Sequence, residues 1–361
     1  MSAHEILIAV MAVFAVLGAL DRIIGNRFGI GKEFENGIMA MGSLAMAMIG
    51  IIALAPVLAD ILTPVVVPVY RFLGADPAMF AGTILACDMG GGSLAMEMSS
   101  DPQAALLGGV LTGSMLGATI VFTIPIAMGI LEETDRAAMA KGILCGIVTI
   151  PLGVLTGGLV AGFSISMLLW NLLPIVLIAA LIALGLWKAE KAMIKGFSLF
   201  GKGVIILITV GLVSAIVQAL TGFVIIPGMA DIEEGFLTVG AIAIVLAGAF
   251  PLVFVLTKVL KKPLMKLGKL LGINDTAAAG LIATLANSIA TFGLVREMDK
   301  RGKVVNIAFA VSAAFVFGDH LGFTAGFAPE MLLPVIVGKL VGGVSAVVVA
   351  LLLTKKDALK Q

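Results

Sequence analysis

Asp76-Pro77-Ala78-Met79-Phe80-Ala81-Gly82-Thr83-Ile84-Leu85-Ala86-Cys87-Asp88-Met89-Gly90-Gly91-Gly92 is the stretch on which the fold turns. Asp76 is a good helix N-cap and Pro77 a good first helical residue. The apolar run that follows is too short to cross a bilayer, which needs about 20 residues. It ends at an acid and three glycines, which break it. The reading is a half-helix that stops near mid-depth and turns back, so that 77–98 is a re-entrant hairpin with its tip at Gly90, Gly91 and Gly92. Non-helical backbone at that depth survives only where protein or water covers it.

The same pattern recurs downstream. Leu73-Gly74 and Leu271-Gly272 are 198 residues apart, as are Asp76 and Asn274, Ala81-Gly82 and Ala279-Gly280, and Ile84 and Ile282. Pro56 precedes Pro68 by twelve residues, and Pro251 precedes Pro263 by twelve. A second hairpin is therefore expected at 276–295, capped by Asn274 and reaching Asn287-Ser288 near its tip.

Around the hairpins the chain reads as lipid-embedded. It is 60% hydrophobic and 12% charged, against about 25% charged in soluble domains. Nine full spans are expected: 4–24, 37–62, 104–131, 137–163, 165–187, 203–226, 235–257, 303–326 and 331–354. The fold class is all-α, a polytopic membrane protein in a single domain over 1–361. The first inverted repeat is 1–163, the linking helix 165–187 and the second repeat 188–361. An odd linker turns the second half upside down, as in transporters whose broken helices meet at mid-membrane. Cys87 and Cys145 fall in apolar segments and read as small buried hydrophobes. The first apolar run lacks a basic leader and reads as the first helix. Gly109, Gly113 and Gly117, and Gly153 and Gly157, are spaced for close helix packing.

Basic residues test the layout. With two hairpins, 21 of the 23 Lys and Arg fall on one side. Only Arg71 falls on the other, and Lys339 lies within the last span. If both interrupted stretches crossed fully, the split would be 12 against 10. Basic loops are cytoplasmic, so the N-terminus is expected outside and the C-terminus in the cytoplasm.

Few residues can carry chemistry. Asp88 is a mid-membrane acid, which costs at least ~2.5 kcal/mol and so marks a pathway more often than a cap. Two half-helices arriving from opposite faces would add their negative carbonyl ends, making a cation site. Asn287 is as readable as a simple cap. Asp319-His320 is the other ionisable pair, placed toward the outer end of span 303–326. It reads equally well as a structural hydrogen bond or as a substrate or proton group. Lys339 reads as one half of a structural ion pair. With only His4 and His320, no histidine-rich metal site exists, and no phosphate-binding Gly-Lys-Ser/Thr loop appears. No enzymatic activity, cofactor, metal or nucleic-acid partner is expected.

Several segments resemble the EutH family, the ethanolamine permeases of bacterial ethanolamine-utilisation operons. They are Met39-Ala40-Met41-Gly42, Ala53-Leu54-Ala55-Pro56-Val57-Leu58, Pro68-Val69-Tyr70, Met79 through Gly91, Ala283-Thr284-Leu285-Ala286-Asn287, Arg301-Gly302-Lys303 and Phe309 through Gly322. The resemblance spans nearly the whole chain. It implies uptake of ethanolamine across the bacterial inner membrane. Ethanolamine is an ammonium at neutral pH and also a small alcohol. Asp88 is then expected to take the ammonium, Asn287 with Ser288 or Thr119 the hydroxyl, and Asp319 and His320 to orient the site or tune its pH dependence. The alternatives are a carrier of another small cation or a sodium-coupled solute, and a membrane sensor or scaffold that translocates nothing. A homo-oligomer in the bilayer is compatible with all of these.

Overall fold

The computed structural model describes residues 3–355; Lys356 and Lys360, which entered the charge count, lie outside them. The described residues are mostly helical and contain no strand, and seven of the helices are long and apolar enough to cross a membrane. Large apolar side chains such as Leu181, Ile206 and Val344 face outward. Patches of that kind need lipid or a partner to cover them, and along a chain of apolar helices the cover is lipid. The protein is a multi-pass membrane protein.

The elements run as follows. Helix α1 is Ala3–Ile23 and α2 is Ile30–Phe72. The first interrupted stretch holds α3 (Ala78–Ile84) and α4 (Gly91–Met98), joined by a tight turn at Cys87–Met89. Helix α5 is Pro102–Ile130. Then come α6 (Arg136–Ile147), α7 (Ile150–Val160), α8 (Ile165–Thr221) and α9 (Ile232–Leu271). The second interrupted stretch holds α10 (Asp275–Ala286) and α11 (Ser288–Leu294). Helices α12 (Lys300–Ala313), α13 (Asp319–Phe327) and α14 (Leu332–Leu353) complete the chain.

Both interrupted stretches fold back on themselves. Asp76 Oδ1 accepts from the Ala78 amide at 2.8 Å and Oδ2 from the Ser99 hydroxyl at 2.9 Å, so one carboxylate caps α3 and ties its start to the end of α4. The Asp76 amide donates to Asn171 Oδ1 of α8 at 2.7 Å. In the second stretch Asn274 Oδ1 accepts from the Ala277 amide and its Nδ2 donates to the Glu297 carbonyl, both at 2.9 Å. The two closures, Asp76 to Ser99 and Asn274 to Glu297, join residues at the same 198-residue offset.

Several expected spans have different ends. The helix expected at 37–62 runs from Ile30 to Phe72, through Pro56, Pro64 and Pro68. At 1.5 Å per residue it is roughly 65 Å long, about twice the hydrocarbon thickness. Spans 165–187 and 203–226 are the two arms of α8, joined at Ala189, whose backbone is not helical (φ −141°, ψ 46°). Span 137–163 is divided between α6 and α7. Span 303–326 is broken into α12 and α13 by a non-helical stretch, 314–318.

The glycine spacing does pack helices. A Cβ on Gly153 would sit 2.7 Å from the Gly338 carbonyl, and one on Gly157 2.8 Å from the Pro334 carbonyl, which holds α7 tightly against α14. In lipid such close approach, not hydrophobic burial, drives helix association.

Candidate functional site

The site forms where the turns of both interrupted stretches meet the break in α12–α13. Phe315 N donates to the Thr284 carbonyl at 3.2 Å, and Phe317 N to the Leu285 carbonyl at 2.9 Å. The freed end of α10 thus satisfies amides that the broken helix cannot. Gly318 lies so close that a Cβ would come within 2.2 Å of the Ala286 carbonyl. Phe315 is held at φ +62°, a conformation that costs a bulky residue energy and persists only where the surroundings enforce it. On the other side Gly90 turns the first tip at φ +95°, and Gly92 packs against the Phe323 ring of α13.

This break places Asp319 and His320 at the start of a half-helix beside Asp88, and not toward the outer end of a continuous span. His320 Nε2 lies 3.7 Å from Asp88 Oδ1. His320 Nδ1 lies 3.1 Å from Lys339 Nζ, which also donates to the Ser114 carbonyl at 2.5 Å. Lys339 is 1% exposed. It is not the ion-pair partner of an acid that its sequence suggested; its direct partners are a ring nitrogen and a backbone carbonyl. Over Leu106–Gly117, which includes Ser114, α5 is wound with the wider i→i+5 pattern, an irregularity frequent at functional sites.

With Lys339 as an ammonium, which has donors only, His320 Nδ1 accepts and a neutral ring carries its proton on Nε2, toward Asp88. Cys87, Asp88 and His320 offer ligand atoms within 4.8 Å of one another, but a proton on Nε2 opposes metal ligation from that nitrogen. The arrangement suits hydrogen bonding better than coordination.

Asp88, Asp319 and His320 line one cavity of about 290 Å3 with Ser43, Phe122 and Phe315, near the lower edge of small-molecule pockets at roughly 300–1,000 Å3. The Phe315 ring lies 5.2 Å from the His320 ring and 5.3 Å from Phe122, edge to face with the latter. Asn287, Ser288 and Thr119 are not in the lining. Asn287 Oδ1 accepts from the Ile289 amide and caps α11. The Ser288 hydroxyl is buried without a partner. The Thr119 hydroxyl is committed, lying 2.7 Å from the Met115 carbonyl and 3.0 Å from the Val311 carbonyl. Val311 would bond Phe315 N in an unbroken helix; Thr119 covers the carbonyl that the break orphans. Ser43 and Phe122 carried no sequence signal, since Ser and Phe are ordinary in membrane helices.

A family model, "Ethanolamine utilisation protein, EutH", matches residues 3–353. The chain belongs to the EutH family. This EutH-family chain is 62% identical to "Probable ethanolamine permease EutH" of Listeria monocytogenes, over 99% of the chain and 95% of that protein. It is 51% identical to "Uncharacterized protein YxeR" of Bacillus subtilis over its full length and 98% of that protein. It is 47% identical to the Salmonella typhimurium protein named as the Listeria one is, over 99% of the chain and 97% of that protein. No solved structure matches the chain.

Proposed function

We propose that this protein is a transporter and not an enzyme, and that it takes up ethanolamine as its ammonium ion across the bacterial inner membrane. The observation that carries the reading is the shared cavity: two carboxylates, Asp88 and Asp319, face it together with two aromatic rings. Carboxylates pair with an ammonium, and ring faces attract cations. Counted formally, Asp88, Asp319 and Lys339 sum to one negative charge, which one monovalent cation neutralises. Asp88 takes the ammonium, with Asp319 beside it. The hydroxyl is received by the Nε2–H of His320 or by Ser43 at the rim, and Thr119 serves as a strut. The names of the relatives support ethanolamine over other small cations.

The layout that fits this activity has nine spans and two hairpins in two inverted repeats, with the N-terminus outside. The 198-residue offset of the two hairpin closures and the one-sided distribution of basic residues support it. Purified protein in liposomes tests the function: labelled ethanolamine should enter and unlabelled ethanolamine should compete. Liposomes no more permeable than empty ones would leave a sensor or scaffold as the better reading.

A further inference from the structure

A second cavity lies along the same helices as the first. It has a volume of about 680 Å3 and is lined by Arg136, Lys191, Lys195 and Lys202, with Glu133 and Glu190 and an apolar floor that includes Met128 and Ile194. Two excess positive charges therefore surround it. Arg136 pairs with Glu133 at 3.1 Å, yet its Nε is buried without a partner. Among the described residues Lys191, Lys195 and Lys202 form no ion pair; all three are exposed.

Its position is informative. The lining of the central cavity includes Pro125 and Ile126 of α5 and Ile205 of α8. The basic cavity begins one turn further on, at Met128 and Lys202. Between the two, Pro125 Cγ lies 2.9 Å from where a Cβ of Gly201 would be. The basic cavity is thus the mouth of a seam that closes at Gly201 and ends at Asp88. It sits at the Ala189 kink of α8, flanked by exposed Trp187 and Leu199. Aromatic and basic residues in that setting mark a membrane–water boundary.

The geometry points to a binding site for the phosphate of an anionic phospholipid at this mouth, which neutralises the cations that would oppose passage of an ammonium substrate. Free phosphate offers the same anionic chemistry. The apolar floor and the boundary position select the lipid, whose chains can lie on the apolar side while its phosphate meets the lysines. Basic pockets between membrane helices bind anionic headgroups in this way. The effect on transport rests on the proposed ethanolamine function; the binding does not.

The test uses full-length protein, mass spectrometry of retained lipid, and liposomes of phosphatidylcholine with or without phosphatidylglycerol. Wild-type protein should retain phosphatidylglycerol over phosphatidylcholine and transport faster in liposomes that contain it. The triple variant Lys191→Gln, Lys195→Gln, Lys202→Gln should lose that preference about tenfold or more, since each lysine near an anionic surface contributes on the order of fivefold. The matching Lys→Arg triple variant should keep it. Equal retention of the two lipids, a preference that survives the Gln triple variant, or displacement of the lipid by millimolar inorganic phosphate would overturn the lipid site. Wild-type protein that retains phosphatidylglycerol but moves no ethanolamine would support the site and sink the transport reading instead.

Discussion

Lys339 is the residue whose role depends most on its surroundings. Its ammonium bridges the Ser114 carbonyl and His320 Nδ1. Removing one partner of a buried polar contact leaves the other unsatisfied, at about 1–3 kcal/mol per group. Lys339→Met should therefore lower the melting temperature in detergent, and it should weaken ethanolamine binding because the ring loses the partner that fixes its tautomer. An unchanged melting temperature would mean that the contact contributes nothing. None of this was legible in the sequence. A lysine in an apolar run suggests an acid as partner, whereas the actual partners are a backbone carbonyl 225 residues away and a histidine on the preceding half-helix. Asp88 was legible because an acid before three glycines in an apolar stretch has few innocent explanations.

Among the elements, the two fold-backs were signalled by their caps and the broken helix was not. Asp76 and Asn274 cap their helices through local hydrogen bonds, so their signal is written within a few residues. The stretch Ala314-Phe315-Val316-Phe317 is as apolar as its flanks; it unwinds because the Thr284 and Leu285 carbonyls take its amides. Two variants test this joint. Gly318→Ala places a methyl against the Ala286 carbonyl, where the backbone must shift. Protein that remains monodisperse should lose most of its uptake, and full activity would show that the second tip need not dock there. Thr119→Val removes the hydroxyl that covers the Val311 carbonyl. It should cost about 1 kcal/mol of stability and leave the apparent affinity for ethanolamine unchanged. A large loss of affinity with normal stability would instead return Thr119 to the binding site.

At the scale of the whole molecule, the proposed topology places the loop holding Arg71 outside and the region from Lys258 to Lys269 inside. Single cysteines introduced at these two places, on a background lacking Cys87 and Cys145, should differ in labelling by an impermeant reagent applied from outside. Equal labelling would break the inverted-repeat layout. The account as a whole rests on Asp88 as counter-ion to the substrate, and titration of purified protein with ethanolamine tests this most directly. A charge-assisted hydrogen bond contributes about 1.5–3 kcal/mol, and each 1.4 kcal/mol is tenfold in affinity. Asp88→Asn, which keeps the shape and removes the charge, should bind at least about tenfold more weakly while remaining folded and monodisperse. Wild-type affinity in a folded Asp88→Asn protein would contradict the account.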